Sequence, residues 1–70
     1  MINVDKLRGK MVEKRYSVDQ MASDLKITKS TVYRKLKSGD FTIREATIIT
    51  GVMSMSADEA MSIFFAQYVA

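Results

Sequence analysis

The sequence predicts an all-α domain of five short helices. Three observations carry that expectation: apolar residues recur at spacings of three and four, strand-like alternation is absent, and a capping residue precedes each apolar segment. Proline is absent and the glycines are Gly9, Gly39 and Gly51 alone, so no linker is visible and residues 1–70 are expected to form a single domain. A chain this short buries a smaller share of its surface than a larger protein does, so its core is marginal and every apolar residue counts.

Asn3 caps a first helix with Val4, Leu7 and Met11 on its inner face. Gly9 lies inside it, at a cost of roughly 1 kcal/mol against alanine, and the helix is expected to end near Tyr16. Ser17 with Gln20 three residues later is a capping box, and Val18, Met21, Ala22 and Leu25 form one helical stripe behind it. Thr28 caps the third helix, where Val32 and Leu36 lie one turn apart. Gly39 stands where a C-terminal glycine ends such a helix, so its span is about Lys29 to Ser38. Thr42 with Glu45 makes a second capping box before Ile43, Ala46, Ile49 and Met53, and Ser56 with Glu59 makes a third before the last helix.

Composition narrows the function classes. Without cysteine or histidine the chain has no disulfide, no thiolate or imidazole chemistry and none of the usual zinc ligand sets, so no metal and no cofactor are expected. Asp19 with Asp24 and Asp58 with Glu59 fit helix-start or exposed positions better than a catalytic cleft, and no base stands ready to activate a serine or threonine. An enzyme with a small-molecule substrate is therefore not expected. No signal-like start is present and no apolar run approaches the ~20 residues needed to span a bilayer, so a cytoplasmic protein without membrane contact is expected. The net charge of +3 is unevenly placed: all eleven Lys and Arg residues fall at or before Arg44. A basic face toward a polyanion follows from that asymmetry.

Only Lys26, Ile27 and Thr28 separate the second and third helices, and so short a turn forces them to cross steeply, as in the bihelical DNA-binding motif. Ala22 is small where the helices approach, Leu25, Ile27 and Val32 close the angle, and Leu36 anchors the third helix. The segment Lys26 to Lys37 carries five basic and no acidic residues, which makes this helix strongly cationic. Its outward residues Lys29, Ser30, Tyr33 and Arg34 are placed to read base edges in a major groove, with Arg34 matched to guanine by its planar fork. Thr31, Lys35, Lys37, Ser38 and Arg44 are placed for phosphates, with Ser17 the candidate phosphate contact at the start of the second helix.

The residues from Ser17 to Gly39 resemble the Cro and repressor proteins of temperate phages, the lambda-repressor-like or XRE helix-turn-helix group, with the motif at about 17–38. In that family a small residue such as Ala22 sits midway along the first motif helix, and residues such as Ile27 and Val32 are apolar. The length and the apolar ending Ile63-Phe64-Phe65-Ala66 look similar to small Cro-like proteins of Gram-positive phages. The resemblance implies a compact five-helix domain that regulates transcription in a bacterial host cell by binding an operator in double-stranded DNA through helix 29–37. Two positions depart from the family. Lys26 stands where it usually has a turn glycine, leaving a slightly altered turn open, and Val18 stands where it commonly has a phosphate-holding glutamine.

One such domain contacts few base pairs, so a homodimer or a complex with another regulator is expected. The last helix offers Ile63, Phe64, Phe65 and Tyr68 for that interface, with the adjacent phenylalanines about 100° apart, one inward and one toward a partner. The alternative function is an antirepressor that acts by binding another repressor protein.

Overall fold

The structure, a computed structural model, describes residues 2–65. Five helices follow one another, α1 Val4–Glu13, α2 Val18–Leu25, α3 Lys29–Ser38, α4 Ile43–Val52 and α5 Ala57–Phe64, with no strand among the described residues. None of these helices is long and apolar enough to cross a membrane.

Side chains at the N-caps set the helix starts. The oxygens of Asn3 and Thr28 accept from the backbone N–H three residues on. Ser17 with Gln20, Thr42 with Glu45 and Ser56 with Glu59 each close a reciprocal capping box that satisfies two otherwise orphaned donors.

The helix ends were less visible in the sequence. After α1, α2 and α4 the chain leaves through a left-handed residue without glycine, at Arg15 (φ 53°), Lys26 (φ 58°) and Ser54 (φ 51°). In each case the following N–H reaches back five residues: Tyr16 to the Met11 carbonyl at 2.8 Å, Ile27 to Ala22 at 3.0 Å and Met55 to Thr50 at 3.0 Å. This is the Schellman closure, which satisfies a late carbonyl and turns an apolar residue back onto the helix. It ends α1 at Glu13, three residues before the expected Tyr16, and drops Tyr16 into the core. It also leaves the turn at Lys26 in the left-handed form that glycine would take, at a cost on the order of 1 kcal/mol for a side chain with a Cβ.

The core draws on every helix. Leu7, Met21, Val32 and Ile49 are fully enclosed, and Leu25, Leu36, Met53, Ile63 and Phe64 close around them. Helix α2 packs on α3 and α4, and α5 on α1 and α4. The Phe64 ring meets Phe41 edge-on at 6.3 Å, and the Asn3 N–H donates to the Ile63 carbonyl at 2.7 Å, tying the start of the chain to α5. Ile43 departs from the expected stripe. As the first residue of α4 it is 74% exposed, because Ala46, Ile49 and Met53 fill the inward face without it.

Candidate nucleic-acid interface

Helix α3 is divided cleanly between its two faces. Val32 and Leu36 are buried, while Lys29, Ser30, Tyr33, Arg34, Lys37 and Ser38 are exposed along the outside. Ile27 ties the start of α3 to the end of α2 by donating its N–H to the Ala22 carbonyl, and Thr28 caps α3, its hydroxyl accepting from the Thr31 N–H at 3.2 Å. The expected base-reading residues therefore stand together on a helix whose opposite side is locked in the core.

Their surroundings differ. Arg34, Ser30, Tyr33 and Lys37 have no side-chain hydrogen bond or ion pair among the described residues, so they are free to meet a ligand. Tyr33 leaves more than half of its surface exposed. Lys29 is drawn across the motif to Asp19 in the first turn of α2, with Nζ 3.1 Å from the carboxylate. That hydrogen bond and charge hold the ammonium above its ordinary pKa and offset part of its attraction for a polyanion.

The expected phosphate residues separate further. Arg44 is exposed in the first turn of α4 and makes no ion pair among the described residues. Ser17 is exposed, but its capping box occupies its N–H, at 2.8 Å from Gln20 Oε1, and its hydroxyl accepts from the Gln20 N–H at 3.1 Å. What remains for a phosphate is the Ser17 hydroxyl proton. Thr31 is half-buried with its hydroxyl 2.9 Å from that of Thr28, and the Ser38 hydroxyl accepts from the Asp40 N–H at 3.2 Å.

Lys35 is placed differently from the phosphate role expected of it. It faces α4, with Nζ 3.0 Å from Glu45, 3.3 Å from the Asp40 carbonyl and 5.8 Å from the centre of the Phe41 ring. Both ends of the ion pair are largely enclosed, at 17% and 11% side-chain exposure. Burial pushes the Glu45 carboxyl up, but the Thr42 N–H and the Lys35 ammonium outweigh it and hold the group below the usual carboxylate range. Lys35 thus joins α3 to the N-terminus of α4, ten residues away in sequence, where no local spacing announces a pairing.

Three further polar contacts escaped the sequence reading. Tyr16 donates to Asp24 at 2.6 Å, and burial together with that carboxylate raises its pKa. Lys10 bonds both Glu13 and Glu59, linking α1 to the start of α5. These contacts fix helices against one another and leave the outer face of α3 unobstructed.

The residues expected at an interface divide as well. Ile63 and Phe64 are almost wholly enclosed, at 2% and 5% exposure, because the core of so short a chain needs both. Phe65 is half-buried against that core, and Tyr68 lies outside the described residues. Comparison with protein-family models, with curated proteins and with solved structures found no match to this chain.

Proposed function

We propose that this chain is a DNA-binding transcriptional regulator of the Cro or repressor type, which reads an operator by laying α3 in the major groove. The observation that carries the reading is the pairing of a buried Val32–Leu36 edge with an outer face of Ser30, Tyr33, Arg34 and Lys37, on a helix joined to α2 by a turn of three residues. A helix held this way presents side chains in fixed directions, which base recognition requires. Arg34 serves guanine through two parallel hydrogen bonds, Ser30 and Tyr33 read neighbouring edges, and Lys29 reaches a base or phosphate after exchanging its Asp19 contact. Lys37 and Arg44 hold backbone phosphates. On this reading the protein works in the cytoplasm of a bacterial host.

Association with a second copy or another regulator completes a site too short for one domain alone. The exposed Met61 of α5 and the half-buried Phe65 that caps its end are the surface offered for it, in place of Ile63 and Phe64.

The test is a gel shift with the DNA flanking the protein's own gene, run at two salt concentrations. Specific binding that weakens as salt rises supports the reading. A shift that appears only when another repressor is added would favour the antirepressor alternative.

A further inference from the structure

We propose that Arg8 and Arg15 form a second phosphate-binding clamp beside the readout helix, gripping the DNA backbone from α1 and the turn that follows it. The inference rests on the DNA-binding reading of α3 and extends its footprint to residues that the motif itself does not include.

Three observations meet there. First, Arg8 and Arg15 line one groove of about 450 Å³ together with Ser17, with Val12 and Val18 as apolar walls and Leu36 of α3 contributing from its neighbouring helix. Among the described residues no acidic residue lines this groove, and Ser17, the candidate phosphate contact at the start of α2, lies on its border. Second, every ion pair among the described residues uses a lysine, Lys10, Lys29 or Lys35, and both arginines are left exposed without a carboxylate. Third, Arg15 holds a left-handed backbone (φ 53°) that glycine would adopt without strain, so the fold is served less well by an arginine at this position than by a glycine.

An unpaired guanidinium on a strained residue is explained by what its side chain reaches. Two guanidiniums that line one groove with Ser17 suit a phosphodiester, whose oxygens take the planar fork in paired hydrogen bonds. Contacts of this kind set register and affinity without reading sequence.

Ser54 supplies the control, because it is left-handed too (φ 51°) but lies between α4 and α5 and carries no charge. Binding of the parent and of the variants Arg8→Gln, Arg15→Gly, Arg15→Lys and Ser54→Gly is measured against salt on two duplexes, the DNA flanking the gene and a scrambled sequence. Arg8→Gln and Arg15→Gly each flatten the slope of log affinity against log salt by about one unit, equally on both duplexes. Arg15→Lys keeps the parental slope. Arg15→Gly and Ser54→Gly both melt higher than the parent, and Ser54→Gly binds as the parent does. A parent that binds while Arg8→Gln and Arg15→Gly keep its slope overturns the clamp alone. A parent that binds neither duplex overturns the reading of α3 and the clamp with it.

Discussion

Two lysines two residues apart on α3 show how position decides chemistry. Lys37 is exposed without a partner among the described residues, whereas Lys35 spans to Glu45 and covers Phe41. Replacing Lys35 with glutamine leaves the largely buried Glu45 carboxylate with only its capping hydrogen bonds. The expected cost is ~1–3 kcal/mol of stability, read as a lower melting temperature, with the salt dependence of DNA binding unchanged. Lys37→Ala is expected to do the opposite: the melting temperature holds while affinity falls evenly across sequences and the salt slope flattens by about one unit. A Lys35→Gln variant that melts like the parent would show that the pair does not secure α3 to α4.

Among the helices, the starts were legible in the sequence, as were the ends of α2 at Leu25 and of α3 before Gly39, but the ends of α1 and α4 were not. A cap and its Glu or Gln partner are three residues apart, so all three boxes could be read from spacing. The ends after α1 and α4 depend on Arg15 and Ser54 taking a conformation for which no local glycine gives a signal. The exposed face of α3 was legible because Val32 and Leu36 fix its phase. The role of Lys35 was not, since its partner is set by how α4 packs.

The same caps predict how the fold responds to acid. Lys10, with the Ser56 N–H, brings the Glu59 carboxyl down to about 2, and Glu45 lies below its ordinary value too. Carboxyls with lower pKa values in the folded than in the unfolded chain stabilise the fold fully above the ordinary value of 4.5, and that stability is lost as pH falls. Melting temperature should therefore hold near neutrality and fall between about pH 4.5 and 2. Glu59→Gln should melt lower near neutrality and lose less over that interval. If this variant showed the same acid dependence as the parent, Glu59 would not be the titrating group.

The five helices become one body where the start of the chain crosses the end of α3. Gly39 is buried and left-handed (φ 75°), and a Cβ there would stand 3.3 Å from Val4 Cγ2 and 3.5 Å from Ile2 Cγ1. Gly39→Ala is thus both strained and crowded, and a loss of ~1–3 kcal/mol is expected in chemical or thermal unfolding. For a domain of this size that is a large part of the total, since native proteins are stable by only ~5–15 kcal/mol.

With the scaffold held this way, recognition on the proposed reading depends on α3 presenting Arg34 outward. The decisive measurement is the affinity of the parent and of Arg34→Ala for the DNA flanking the gene and for a scrambled duplex, with melting curves recorded alongside. Arg34→Ala should melt with the parent and lose ~1–3 kcal/mol of discrimination between the two duplexes, while keeping most of its non-specific affinity. A variant that still prefers the flanking DNA as strongly as the parent would contradict the assignment of Arg34 as the residue that reads sequence.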